Sequence, residues 1–175
     1  MKIYTSYSVK IKHYNHIFRD TVAIYRHAVG FLINVCMDNW DDISVIEGHL
    51  HKQRYIENLI HTTQDNPCPV YHTFDTLFYK LPSYIRRSAI MEAVGKVSSY
   101  RSNLAKWEAS DKNARGREPS MPKAGYVYPC MYKGNMYMPD GTYGARIKVF
   151  VRNTWDWISV SLRKSDMDYI NRRCS

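Results

Sequence analysis

His49-Leu50-His51 is the first arrangement along the chain that could do chemistry. Two imidazoles at this spacing hold a catalytic metal in single-strand transposases, but only when both project together from a strand and a tyrosine nucleophile lies elsewhere. The flanks Glu47-Gly48 and Lys52-Gln53-Arg54-Tyr55-Ile56 read as helical, and on a helix i and i+2 point apart. Two-ion phosphodiester cleavage needs several carboxylates gathered from separate elements. The acidic pairs, Asp41-Asp42 and Asp166-Met167-Asp168, fall in an expected helix-to-helix loop and near an expected helix start. There is no G-x-S-x-G elbow and no phosphate-cradling glycine loop. Cys36, Cys68, Cys130 and Cys174 lie far apart with no CxxC pair, so neither a zinc knuckle nor a disulfide framework is indicated. The residues present therefore predict a chain with no catalytic residue, metal or cofactor of its own.

Binding chemistry is better represented. Arg146, Lys148, Phe150, Arg152, Trp155 and Trp157 interleave cations with large flat rings near the C-terminus. On a nucleic-acid surface the rings would stack on bases while the cations neutralise phosphates. The same interleaving also suits cross-strand cation–π pairing, or tryptophans packed beneath helices. Arg86, Arg87, Lys96, Arg101 and Lys106 would line the polar face of a long helix, and Lys10 and Lys12 the outer face of an N-terminal strand. The whole chain shares this sign: 25 Lys plus Arg stand against 16 Asp plus Glu, a net +9, which favours a polyanionic partner. Fifteen tyrosines, 4 Trp and 5 Phe accompany them.

The elements that must position these residues follow from periodicity. Residues 2 to 12 alternate, with Ile3, Thr5, Tyr7, Val9 and Ile11 on one face, and predict a half-buried strand. Asn15 is a candidate N-cap for a helix in which Ile17, Thr21, Ile24, Ala28, Phe31 and Val35 form one apolar row and Phe18, Val22, Tyr25, Val29, Leu32 and Cys36 the next. A weaker helix fits 49 to 63, broken by Asn66-Pro67-Cys68-Pro69. Pro82-Ser83 opens a long helix to about Trp107, with Ile90, Ala93, Val97, Tyr100, Leu104 and Trp107 on its core side. Residues 110 to 125 carry two Gly, two Pro and four cations without periodicity, the composition of a linker. Two strands then meet at an Arg152-Asn153-Thr154 turn, and Asp140-Gly141 signals another. Ile147, Val149 and Val151 on the first and Ile158, Val160 and Leu162 on the second are expected inside, with Trp155, Trp157, Ser159 and Ser161 outside. Because a lone strand cannot bury a face, residues 2 to 12 are expected to pair with these strands, making the helices an insertion into one β unit.

With 175 residues and 45% apolar content, the chain can bury a real core. No apolar run reaches membrane-spanning length and the start lacks a signal-peptide core, so a soluble, cytoplasmic protein is expected.

Four stretches resemble the N-terminal half of TnpB proteins, transposon-encoded RNA-guided nucleases related to type V CRISPR effectors. They are YRHAVGFLINVC (25 to 36), LPSYIRRSAIMEAVGKVSSYRSNLAKWE (81 to 108), PCMYKGNMY (129 to 137) and IKVFVRNTWDWISVSLRKSDMDYI (147 to 170). The resemblance implies an α+β fold, a small β-barrel "wedge" interrupted by an inserted helical recognition domain. Residues 1–13 would be the first wedge strand, 14–110 the recognition helices, 111–124 a basic linker and 125–175 the rest of the wedge. It further implies guide RNA and target DNA as partners, with no membrane. Cleavage is not implied, because the chain stops where the RuvC-like domain, its carboxylates and its metal would begin; a separate or downstream nuclease domain would supply them. The rival readings are the His-x-His transposase and a non-catalytic protein-interaction domain.

Overall fold

The computed structural model describes residues 6–111 and 115–173. They form two compact units, Met1–Thr21 with Met131–Ser175, and Val22–Cys130. The class is α+β, with six helices and three strands among the described residues.

In the unit that holds both chain ends, β1 (Tyr137–Asp140), β2 (Gly144–Val151) and β3 (Thr154–Ser161) make an antiparallel sheet in the order β1-β2-β3. The sheet is open. This corrects the expected barrel: closure needs enough tilted strands to bring the last beside the first, and here β1 and β3 remain edges. Nor do residues 6–12 form a strand. Among them only Ile11 pairs, with Leu162, fixed by Lys12 N–H to Ser161 O (2.7 Å) and Arg163 N–H to Lys10 O (2.8 Å). Alternation gives the pleat of a strand, but a ladder also needs a parallel run of free partner groups, and the chain turns into α6 (Lys164–Arg173) directly after Leu162. Residues 2–5 of that expected strand lie outside the described residues.

Both hairpin turns form where the sequence marks them. Arg152 and Asn153 take φ of 49° and 59°, the left-handed pair a two-residue type I′ turn requires, and its twist matches that of the flanking strands. At the other turn a Cβ on Gly144 would collide with the Asp140 carbonyl, so only glycine fits. Past the end of β1, the Phe150 N–H on that side of β2 is taken by Thr21 Oγ1 (2.9 Å), whose own proton goes to Ile17 O (2.8 Å).

Asn15 caps α1 (Ile17–Asp38), its Oδ1 accepting from Ile17 N–H at 3.0 Å. From Val22 onward α1 belongs to the second unit, with α2 (Trp40–Val45), α3 (His49–Ile60), α4 (Thr73–Leu77) and α5 (Ser83–Ala109). The short α2 and α4 had no sequence signal of their own, and Asp41-Asp42 opens α2 instead of lying in a loop. The core gathers Tyr25, Val29, Leu32 and Val35 of α1 with Ile85, Ala89, Ile90, Ala93 and Val97 of α5. Tyr25 and Ser88 share a buried hydroxyl hydrogen bond of 3.0 Å. Phe31 meets Tyr71, Phe74 and Phe78 edge-on with centroids 5.4–6.4 Å apart, and Phe74 and Phe78 pack tilted at 4.8 Å. The later α5 positions expected in the core, Tyr100, Leu104 and Trp107, are only half-buried. Beyond them the segment expected as a linker folds back: Trp107 Nε1–H donates to Gly116 O (2.8 Å), and Arg115 lies over the Trp107 ring (4.6 Å). Residues 112–114 of that segment lie outside the described residues, as does Cys174.

Candidate nucleic-acid interface

The β2–β3 register decides which side chains meet. Lys148 stands opposite Trp157, Phe150 opposite Trp155 and Arg146 opposite Ser159, so directly paired residues project from one face. Ala145 and Val149 face the other way and are fully buried. Arg146, exposed, has its guanidinium 5.7 Å from the centre of the half-buried Trp157 ring, and the Lys148 ammonium is 5.6 Å from the same ring. One aromatic surface is thus flanked by two cations, neither of which ion-pairs with a carboxylate among the described residues.

Trp155 corrects the expectation of an outward ring. It shares the face of Trp157 but is 9% exposed, packs against Phe150 at 5.6 Å, and has a buried Nε1–H with no hydrogen-bond partner. Phe150 is half-buried. Alternation assigned the face correctly; it carries no information on which part of a face is covered. Arg152, in the turn, is exposed and borders a recess of about 520 Å³ shared with Phe150, His16 and the first turn of α1. Lys10 and Lys12 are exposed on either side of the Ile11 bridge.

The helical cations behave differently. Arg86 is 8% exposed, and its Nε–H donates to Glu57 at 3.1 Å. A guanidinium so placed neutralises a carboxylate, which removes it from any surface for phosphates and corrects its expected role. Arg87 is exposed and near the same Glu57 (3.8 Å), while Lys96 pairs with Glu92 (3.6 Å). Arg101 is half-buried with an unpartnered Nε, and Lys106 is exposed. From Arg87 to Lys106 the helix rises about 28 Å, so these cations meet no common small group.

Of the residues weighed for phosphodiester cleavage, Asp42, Asp166 and Asp168 already hold hydrogen-bond partners. His49 and His51 sit in the first turn of α3, where their rings diverge. Asp42 accepts from Tyr55 O–H (2.9 Å), and the loss of solvent with this bond raises the Tyr55 pKa. Asp168 accepts from Tyr143 O–H (2.7 Å), raising that phenol too. Asp166 receives Arg163 (2.6 Å) and the Lys10 N–H (3.0 Å), and the guanidinium above all holds its carboxyl below the usual range. Among the described residues no three His, Cys, Asp or Glu converge as metal ligands. One arrangement escaped sequence reasoning: His61 Nδ1 lies 2.9 Å and 3.0 Å from the two oxygens of Asp75, a pairing across 14 residues with no spacing signature.

The profile of the Aq_aa04 family matches residues 5–151, most of the chain. The chain belongs to the Aq_aa04 family. A relative from Aquifex aeolicus (strain VF5), "Uncharacterized protein aq_aa04", is 35% identical over 85 residues, 49% of this chain and 47% of that protein. The chain thus spans about half the length of the curated relative it matches. No solved structure matches. The family match takes in α1 to α5, β1 and β2, so the Arg146–Lys148 pair is inside it and Trp157 lies beyond it. Among the described residues no helix is long and apolar enough to cross a membrane.

Proposed function

We propose that this member of the Aq_aa04 family binds single-stranded nucleic acid on the outer face of β2 and β3. The observation that carries the reading is the half-exposed Trp157 ring with Arg146 and Lys148 at 5.7 Å and 5.6 Å. A ring accepts any base by stacking, and cations beside it meet the phosphates on either side of that base, so one short segment engages both. Arg152 at the turn extends the cationic edge. The chain's net +9 adds long-range attraction for a polyanion. This reading stands without the resemblance to TnpB proteins, whose barrel the chain lacks.

The test is a titration of the full chain with unstructured oligo-U, followed through the indole N–H resonances. The Trp157 signal should move to saturation and that of buried Trp155 should respond less. Polyglutamate is the control. If it perturbs Trp157 as strongly at equal ionic strength, the face recognises acidic protein and the nucleic-acid reading falls.

A further inference from the structure

The C-terminus of α3 borders a cavity of about 220 Å³ in the helical unit that takes no part in the reading above. It is smaller than the roughly 300–1,000 Å³ of sites that enclose whole cofactors, so its occupant is an end group. Asp75 fixes one wall. Its carboxylate takes His61 Nδ1 on both oxygens and the Thr62 N–H on one (2.8 Å). A carboxylate that takes the Nδ1–H fixes the orientation of the ring and leaves Nε2 for a ligand, to which it donates when the ring carries both protons. The opposite wall brings Arg86 and Lys80.

Charge is unbalanced here. Glu57 is met by both Arg86 and Arg87, and Asp75 by His61, while Lys80 ion-pairs with no carboxylate among the described residues. Glu57 and Arg87 lie outside the cavity lining and Arg86 is neutralised by Glu57, so of the cations that line it Lys80 is the one no carboxylate offsets. Lys80 is held at φ 57°, a conformation a lysine adopts only when its surroundings impose it, with its ammonium 5.2 Å from the Tyr79 ring. That ring is 63% exposed and borders the cavity, which Phe78 and Leu81 line with apolar surface.

We propose that this cavity is a phosphomonoester site, in which Lys80 and His61 Nε2 hold the phosphate and Tyr79 carries the nucleoside attached to it. A phosphate answers the unpaired Lys80 ammonium, and the flat Tyr79 ring beside it is the surface a base stacks on. The phosphate can come from a free nucleotide or from the end of an oligonucleotide. The site belongs to the helical unit and does not depend on the reading of the β2–β3 face.

The experiment follows the His61 imidazole resonances of the full chain by NMR at fixed pH and ionic strength, with the signal assigned by its loss in His61→Gln. The probes are inorganic phosphate, uridine, uridine monophosphate, and oligo-U with and without a 5′-phosphate. Saturable shifts are expected with phosphate and the monophosphate and none with uridine. Lys80→Gln, at an exposed position, should weaken the monophosphate by about tenfold or more while its circular dichroism stays native. Tighter binding of the phosphorylated oligomer than of the monophosphate identifies a chain end as the source; equal or weaker binding identifies a free nucleotide. Shifts that never saturate, that persist unchanged in Lys80→Gln, or that uridine reproduces overturn the proposal.

Discussion

Replacing Trp157 with alanine should separate stacking from charge on the β2–β3 face. Stacking on an aromatic side chain is worth roughly 1–3 kcal/mol per base, and the half-buried Trp157 can offer only part of its ring. About 1.5 kcal/mol is the working figure, which weakens oligo-U roughly tenfold. The number of phosphates neutralised is unchanged, so the slope of log Kd against log salt should be too. The Arg146→Ala/Lys148→Ala pair should do the reverse. Losing two single-strand phosphate contacts lowers the slope by about 1.4, so between about 50 and 200 mM salt the double variant should lose roughly sevenfold less affinity than the parent. Fluorescence anisotropy of a labelled oligo-U across that salt range reads both quantities. Trp155→Ala is the control: emptying a site 9% exposed should cost roughly 3–5 kcal/mol of stability, seen as a lower melting temperature. Unchanged Kd in Trp157→Ala together with an unchanged slope in the double variant would refute the assignment of this face.

Glu57→Gln should destabilise the helical unit by on the order of 3 kcal/mol in urea melts, since it leaves Arg86 buried without its counter-charge, whereas Arg87→Ala at a 47% exposed side chain should cost about 1 kcal/mol or less. Asp166 has a lowered carboxyl pKa, so its stabilising effect is present above the ordinary carboxylate range and is lost as pH falls through the depressed value. Hydrogen exchange should therefore show the Lys10 amide protected at neutral pH, less protected in strong acid, and equally unprotected at both in Asp166→Ala. Burial pushes the Cys36 thiol up to about 12, so peptide mapping after iodoacetamide at neutral pH should find Cys68 and Cys130 alkylated and Cys36 intact until denaturant is added.

What the sequence made legible is local. Asn15 and Pro82-Ser83 mark the starts of α1 and α5 because cap chemistry acts within one turn, and Arg152-Asn153 marks a hairpin because both conformations are decided at those two residues. The face of Trp157 followed from the two-residue period. Quantities set by distant parts of the chain were not legible. Arg86 reads like any helix cation until Glu57, on another helix, takes it. Trp155 and Trp157 have the same period and different cover. Residues 2–12 alternate as a strand would, yet among the described residues of that stretch only Ile11 finds a partner. The helical unit and the sheet were separable in outline because their periods differ, while the openness of the sheet depends on strand number and tilt, which no single segment encodes.

The hydroxyl of Thr21 completes the edge of β2 where β1 has ended, and this sets a rule for the family's evolution. Serine could replace that threonine and still receive the Phe150 N–H. Valine has the shape without the acceptor and would leave a half-buried amide unsatisfied. A lineage that loses the hydroxyl should therefore change a second site as well, either by lengthening β1 to supply a carbonyl or by adopting proline at position 150, which has no N–H and is tolerated at a strand edge. Positions 21 and 150, separated by 129 residues, should co-vary across Aq_aa04 sequences.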